Sequence, residues 1–273
     1  MDVLIDGLAF PEGPRWRGDR LFFSDFYTHR VQSTDLSGRL ELVARVPQQP
    51  SGLGWLPDGS LLIVSMLDRR LLRLSGGVVA AYAELGDIAT GPANDLVVDS
   101  QGRAFVGDMG FNRRLGEAPR HGHLTCVHPD GRVVLAADEM VFPNGAVVSP
   151  DGRRLIVAES FANRLTVFDL QDDGRLTNRR LYADLGDCSP DGICQDAEGA
   201  IWVAHPQGDA VLRVLEGGRV VDRVVTGERG AFACALGGPD GQTLFVCTND
   251  LARLGPEPSF NGRIEVARVA VPA

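Results

Sequence analysis

Four side chains that carry carboxylate or carboxamide oxygen recur along the sequence at similar intervals: Glu12, Asn94, Asn144 and Asp191. Two carboxylates held close together repel, and one of them takes up a proton unless a cation lies between them. With the two amide oxygens they form an all-oxygen donor set, which suits a hard divalent cation. If the fold gathers these residues, we expect one metal site that favours Ca²⁺, with Mg²⁺ or Mn²⁺ as alternatives. Zn²⁺ ranks below them because the set has no His or Cys. The competing interpretation is that these residues cap strand ends or bond between neighbouring sheets.

The segments that carry these residues are short apolar stretches separated by tight turns. Six such turns divide the sequence: Arg17-Gly18-Asp19, Pro57-Asp58-Gly59, Ser100-Gln101-Gly102, Pro150-Asp151-Gly152, Ala197-Glu198-Gly199 and Pro239-Asp240-Gly241. Counting back from each turn to the head of the preceding stretch gives the four residues above together with Ser51 and Ala233. We call these six positions the inner ring.

The spacing of the inner ring predicts the fold. Successive positions lie between 39 residues (Glu12 to Ser51) and 50 residues (Asn94 to Asn144) apart. Repeats of this length, built from strands and turns, are typical of a β-propeller with one four-stranded sheet per repeat. We therefore predict an all-β fold, a six-bladed β-propeller of antiparallel four-stranded blades, in which residues 1–273 form a single domain.

A propeller has to join its last blade to its first, because an unpaired sheet edge invites aggregation. Residues 262–269 alternate apolar and polar side chains as a half-buried strand does. Residues 3–5 form a short apolar stretch with no hairpin partner nearby. We predict that residues 3–5 form the outermost strand of the sixth blade, beside the C-terminal strand.

A second set of residues ends the strand that follows each turn and forms a wider, outer ring at the same face: Asp25, Met66, Asp108, Glu159, His205 and Thr248. We expect Asp108, Glu159 and His205 to contact substrate together with Asn94. The competing interpretation is that these side chains point between blades and serve a structural role, because successive side chains along a strand point to opposite faces. For Asp25 the structural role, as a hydrogen-bond acceptor between blades, is the preferred interpretation.

The stretch between Asp108 and His123 has no strand pattern, and long loops in small domains often act as lids or specificity elements. Its cationic and imidazole side chains, which could attract an anionic substrate or product, are Arg113, Arg114, Arg120 and His121. A solvated charged loop is the competing interpretation.

Composition excludes several classes of function. The chain has 273 residues, a net charge of −9 and no run of Lys or Arg, so binding to nucleic acid or an anionic membrane is not expected. No stretch approaches the roughly 20 apolar residues that span a bilayer, and the N-terminus does not resemble a signal peptide. The five cysteines lack paired-ligand spacing. We expect a reduced, cytoplasmic protein with a small-molecule substrate and no obligate protein partner.

The sequence resembles the SMP-30/gluconolactonase/LRE family of regucalcin-like six-bladed propellers over nearly its full length. The motifs that carry the resemblance are Phe10-Pro11-Glu12-Gly13-Pro14-Arg15-Trp16, Pro92-Ala93-Asn94-Asp95, Phe142-Pro143-Asn144-Gly145 and Ser189-Pro190-Asp191-Gly192. The resemblance implies that Glu12, Asn144 and Asp191 bind one divalent metal, and that Asn94 contacts the metal or the substrate. Sugar-lactonase members often carry Arg where this sequence has Pro92, which leaves room for a less polar lactone or ester.

These observations favour a metal-dependent lactonase or carboxylic ester hydrolase of the gluconolactonase type. The metal would polarise the carbonyl, and Asp191 would act as general base or, alternatively, as nucleophile. The first alternative keeps the metal but takes a phosphotriester, as in diisopropylfluorophosphatase-like propellers. A non-catalytic ligand-binding propeller is the second alternative. A metal-free activity of the strictosidine-synthase type is a third, although it would leave Glu12, Asn144 and Asp191 without a purpose.

Overall fold

Apolar strands and glycine turns form six antiparallel four-stranded sheets within residues 1–253 and 259–273, the residues that the computed structural model describes. The first three blades, from the channel outward, consist of β2 (Pro11–Arg17), β3 (Arg20–Asp25), β4 (Arg30–Thr34) and β5 (Leu40–Arg45); β6 (Pro50–Trp55), β7 (Leu61–Ser65), β8 (Arg70–Ser75) and β9 (Val78–Glu84); and β10 (Ala93–Val98), β11 (Ala104–Asp108), β12 (Gly122–Val127) and β13 (Val133–Met140).

The second half of the chain repeats this arrangement. Its blades consist of β14 (Pro143–Val148), β15 (Arg154–Glu159), β16 (Arg164–Leu170) and β17 (Leu176–Asp184); β18 (Ile193–Gln195), β19 (Ile201–Val203), β20 (Ala210–Val214) and β21 (Val220–Val225); and β22 (Gly230–Gly237), β23 (Thr243–Asn249), β24 (Gly262–Arg268) and β1 (Asp2–Leu8). The first strand of each blade contacts the first strand of the next, and β22 contacts β2. The six first strands therefore surround one channel, which confirms the predicted six-bladed propeller.

The turn motifs act as hairpin connections inside each blade. Gly152 adopts a φ of 71°, a left-handed conformation that glycine reaches without strain, and its amide donates to the Ser149 carbonyl at 2.8 Å. The Asp151 carboxylate accepts the Arg153 amide at 3.0 Å and so closes the same turn. Each of the six turns contains a glycine with a positive φ. The Gly-containing motifs thus set the regular spacing of the inner ring.

The core lies between the blades. Six hydrophobic clusters occupy the six interfaces between neighbouring blades. The middle strands are buried on both faces, as Leu61–Ser65 shows with every residue buried, because each sheet is covered by a neighbour on either side. Burial of this apolar surface stabilises the ring at about 25 cal/mol per Å².

The N-terminal strand closes the ring as predicted. β1 pairs antiparallel with β24 and is the outermost strand of the sixth blade. Ile5 and Leu8 of this strand are buried and pack in one cluster with Leu21 and Phe23 of the first blade. Closure therefore joins both chain ends through hydrogen bonds and apolar contacts.

The described helices are single 3₁₀ turns at one face of the ring: Phe26–Thr28, Arg113–Leu115, Ser160–Ala162 and Leu251–Arg253. In the described parts of the chain, no helix has the length and apolar character needed to cross a membrane. All five cysteines are free thiols.

Candidate active site

Five of the six inner-ring residues lie near the start of a first strand, and Asp191 lies two residues before β18. Neighbouring blades touch closely at this level. A Cβ on Gly145 would lie 2.5 Å from the Ile193 amide nitrogen, and the Gly145 amide donates to the Asp191 carbonyl at 3.2 Å. Glycine is thus required after Asn144, and the close approach puts Asn144 and Asp191 side by side.

The pairing of first and second strands is irregular at this level. The register shifts between Glu12 and Arg15, between Pro143 and Ala146, and at the equivalent positions of the second, third and sixth blades. Such β-bulges change the direction of a side chain and are frequent next to active sites. The bulges therefore determine where the inner-ring side chains point.

Glu12 and Asp191 form an electrostatically coupled pair. Burial raises the pKa of Glu12 well above its ordinary value, and the charge of Asp191 raises it further. Burial, followed by the charge of Asp95, raises the pKa of Asp191 to about 8, although a hydrogen bond with Asn144 opposes the shift. As whole residues Glu12 and Asp191 are partly exposed, although the protein surrounds their carboxyl groups. Without a cation, the raised pKa values favour protonation of at least one of the two carboxyl groups.

Ser160 holds Asn144 and the residue that precedes Asp191. The Asn144 amide nitrogen donates to Ser160 Oγ at 3.2 Å, and Ser160 Oγ donates to the Pro190 carbonyl at 2.7 Å. On the other side of the ring, Asn94 Oδ1 accepts the Ser51 hydroxyl at 3.3 Å. The Asn144 amide is therefore held with its nitrogen toward Ser160, so its oxygen is directed away.

An ion pair that the sequence did not indicate, between Arg15 and Asp95, lies next to this centre. Arg15 Nη2 lies 2.9 Å from Asp95 Oδ1 and also donates to the Leu96 carbonyl at 2.8 Å. The pair joins the first and third blades above Gly52, where a Cβ would lie 2.6 Å from Asp95 Oδ1. Arg15 and Asp95 both belong to the family motifs, but they can form this ion pair only because residue 52 is a glycine and has no side chain.

The donor set fits a hard divalent cation. Within residues 1–253 and 259–273 neither Glu12 nor Asp191 forms an ion pair. The charge of Arg15 opposes the rise in the pKa of Glu12, but Arg15 pairs with Asp95. No three His, Cys, Asp or Glu side chains of the described residues converge as a metal site. The remaining ligands would therefore be amide oxygens of Asn144 and Asn94, and water. This combination matches the oxygen preference of Ca²⁺, Mg²⁺ and Mn²⁺.

The outer-ring acids are held by the protein itself. Asp108 is 1% exposed and accepts the amides of Gly91, Gly110 and His123 at 2.8–3.1 Å. Asp25 likewise accepts the Phe10 amide at 2.7 Å. Through the Gly91 amide, Asp108 fixes the segment that leads into β10, the first strand of the same blade. The geometry gives Asp108 a structural role, and its contact with substrate stays a prediction.

Glu159 has the same kind of environment and is fully buried. It accepts the Val141 amide at 2.7 Å and the Thr166 hydroxyl at 2.5 Å, and it pairs with Arg164 and Arg179. Burial alone would raise its pKa, but these hydrogen bonds and charges outweigh burial and lower it. Glu159 is an internal anchor by its geometry, and its contact with substrate also stays a prediction.

His205 follows β19 at the same face as the inner ring. Its Nε2 atom is buried without a hydrogen-bond partner in the described residues, and burial lowers its pKa. The neutral imidazole is therefore favoured. Its contact with substrate remains a prediction.

The loop of residues 109–121 lies beside this face and contains the turn Arg113–Leu115. The Arg114 guanidinium stacks over Tyr27 at 4.9 Å, and Arg113 stacks over Phe161 at 5.6 Å. Arg120 pairs with Glu117 at 2.9 Å. Two of the loop cations are thus placed against aromatic rings of other blades.

Six blades around a channel, with two carboxylates and two carboxamides at one end, define a propeller with a candidate metal centre. Residues 10–250 match the family described as SMP-30/Gluconolactonase/LRE-like region, and the chain belongs to this family.

Three similar proteins show how far the likeness extends. The 6-deoxy-6-sulfogluconolactonase of Pseudomonas putida is 26% identical, over 96% of this chain and 91% of the relative. Regucalcin of Gallus gallus is 30% identical, over 97% of this chain and 93% of the relative. The solved structure of the calcium-binding protein regucalcin from Agrobacterium tumefaciens is 26% identical. It superposes with a TM-score of 0.82, covering 97% of this chain and 92% of that one.

Proposed function

We propose that the protein is a divalent-metal-dependent hydrolase that opens a lactone or a related carboxylic ester. The observation that carries this proposal is the coupled Glu12–Asp191 pair, which lies beside Asn144 with no cationic partner among the described residues. Membership of the family and the likeness to a protein named as a lactonase support the reaction class.

Glu12, Asn144 and Asp191 would hold the cation, and Asn94 would join them or contact the substrate. When bound, the cation would polarise the lactone carbonyl and stabilise the negative charge on its oxygen. The donor set favours Ca²⁺, with Mg²⁺ or Mn²⁺ as alternatives.

The protein's own residues would handle the proton. A carboxylate oxygen of Asp191 would accept a proton from the attacking water and later return it to the alkoxide oxygen that leaves the ring. The Asn144 hydrogen bond orients this carboxylate, and Asn94 would align the substrate. Direct attack by Asp191 on the carbonyl is the alternative step.

A hydrolysis assay with a pH indicator tests the proposal. Chelator-treated protein is supplied separately with Ca²⁺, Mg²⁺, Mn²⁺ and Zn²⁺ and offered a lactone panel and a phosphotriester panel. We expect metal to restore lactone hydrolysis with the higher catalytic efficiency. Preference for phosphotriesters would assign the alternative chemistry, and folded protein that is inactive with every metal would support a non-catalytic binding propeller.

A further inference from the structure

A cavity of about 390 Å³ lies between the first three blades, and its volume is within the range of small-molecule sites. Most of its wall is apolar or aromatic: Phe26, Tyr27, Met66, Leu67, Pro92 and Met109. A larger cavity of about 620 Å³ is lined by the turn residues Pro150 and Ala197, and it therefore opens at the opposite face from the inner-ring carboxylates. The smaller cavity is therefore the one to compare with the candidate active site.

This cavity adjoins the inner ring at three points. Pro92, in its wall, is two residues before Asn94, and the Ala93 amide donates to the Met66 carbonyl at 3.1 Å. Gln49 is two residues before Ser51. The Phe26 amide donates to the carbonyl of Phe10, which is two residues before Glu12. No inner-ring residue lines the cavity itself, but its wall lies two residues along the chain from Ser51 and from Asn94, at the same face of the propeller.

Aromatic side chains continue from this cavity across the first and sixth blades. The Phe10 ring lies 4.6 Å from Phe26 and 4.7 Å from Phe232, centroid to centroid. On the opposite side of the ring, Phe142 and Phe161 are 4.8 Å apart. Phe10 and Phe142 occupy the same position, two residues before an inner-ring ligand, so the aromatic wall is built into the repeat.

Four of the ten residues that line the cavity are polar: Gln49, Asn112, Arg113 and Arg114. The protein itself engages these side chains, since the guanidinium groups of Arg113 and Arg114 stack over Phe161 and Tyr27. Gln49 is buried, and its side-chain oxygen accepts Arg114 Nη1 at 3.4 Å. Asn112 Oδ1 accepts the Arg114 amide at 3.0 Å. A hydroxyl that loses water here without gaining a partner is unfavourable, whereas an apolar group gains from burial.

We propose that the substrate is a lactone whose ring bears an aryl or alkyl group, which occupies this cavity, and not a polyhydroxylated sugar lactone. The inference rests on the proposed lactonase function and adds the chemical class of its substrate. Leu67 and Met109 are specificity residues in this account, because they offer partly exposed apolar surface to the cavity without lying in the inner ring.

Catalytic efficiency is measured for 3,4-dihydrocoumarin and for D-glucono-1,5-lactone, using the metal-loaded full-length protein. We expect the aryl lactone to be preferred by at least about tenfold, which is the scale of discrimination by apolar contacts.

Leu67→Asn and Met109→Gln should each lower this preference several-fold. Leu115→Asn is the matched control. Leu115 lies in the loop that also carries Met109, is 75% exposed and does not line the cavity. A preference for the sugar lactone, or equal effects of Leu67→Asn and Leu115→Asn, would overturn the inference while leaving the lactonase function intact.

Binding of ring analogues without a carbonyl separates this inference from the proposed function. Calorimetry compares chroman with 1,5-anhydro-D-glucitol, neither of which can be hydrolysed as a lactone. Chroman binding that Leu67→Asn weakens and Leu115→Asn preserves would support the apolar cavity even if no lactone were turned over. Binding of the anhydroglucitol alone, or of neither compound, would contradict it.

Discussion

At the residue scale, the proposed function depends on Glu12 and Asp191. We expect Glu12→Gln and Asp191→Asn each to abolish turnover, because each removes one of the two charges that would hold the cation. The loss of kcat should be about 10²–10⁴-fold or more for Asp191→Asn, which also loses the proton acceptor. Initial rates and calorimetric Ca²⁺ titrations check both variants, with Glu117→Gln in the exposed loop as control. Full activity of Asp191→Asn after chelation would contradict the assignment.

The pKa of Asp191 leads to a second prediction at this scale. The folded value of about 8 exceeds the ordinary value, so between these values the folded protein binds more protons than the unfolded chain. The free energy of unfolding of the metal-free protein should therefore fall as pH rises from about 4 to 8. A cation that replaces those protons should raise Tm more at pH 8 than at pH 5.5. Thermal unfolding with and without Ca²⁺ measures the difference, and an equal or larger increase at pH 5.5 would contradict it.

The positions of Glu12, Asn94, Asn144 and Asp191 in the inner ring could be predicted from the sequence, because each lies a short distance along the chain from a recognisable turn. The sequence was not sufficient for the Arg15–Asp95 pair. These residues are 80 positions apart, and they meet because Gly52, on the blade between them, leaves room. Such a contact depends on packing across three blades and has no local signal.

At the scale of elements, bulges and buried acids place the inner ring. Gln49 and Phe142, each two residues before a ring position, have left-handed φ angles of 67° and 59°. Non-glycine residues adopt this conformation at a cost of about 1–3 kcal/mol, so the surroundings have to hold them. Glu159 holds Phe142 in its left-handed conformation by accepting the amide of the preceding residue, Val141. Sequence alone showed the strand ends but not the bulges, because a register shift leaves no mark in the apolar pattern.

Replacement of Glu159 tests this supporting role. Glu159→Gln leaves Arg164 and Arg179 without their carboxylate, and it should lower the free energy of unfolding by about 2–3 kcal/mol. Glu198→Gln is the matched control, since its side chain is 66% exposed beside Arg213 and should change stability by less than about 1 kcal/mol. Urea unfolding curves measure both variants. Equal midpoints for the two would show that Glu159 does not anchor the fold.

At the scale of the whole molecule, the ring depends on β1. Deletion of residues 1–9 would expose the edge of β24 and remove Ile5 and Leu8 from the cluster between the sixth and first blades. We expect the truncated protein to be insoluble or unfolded. Val3→Ser, an exposed position of the same strand, should leave Tm nearly unchanged. Circular dichroism and thermal unfolding compare them, and a truncated protein with the original Tm would contradict closure by this strand.

Ring closure could be predicted because the repeat and the alternation of residues 262–269 are both local patterns. The cavity proposed to hold the substrate could not be predicted, because its wall combines residues from three blades and a loop. Phe26, Met66 and Met109 are separated along the chain by tens of residues and face one cavity only after the ring has formed.

The most direct test of the central claim is to measure metal occupancy and rate in the same titration. Ca²⁺ is added stepwise to chelator-treated protein, while bound metal and hydrolysis of the preferred lactone are followed together. We expect the rate to rise in proportion to occupancy and to saturate at one ion per chain. Full activity in protein shown to hold no metal would contradict it.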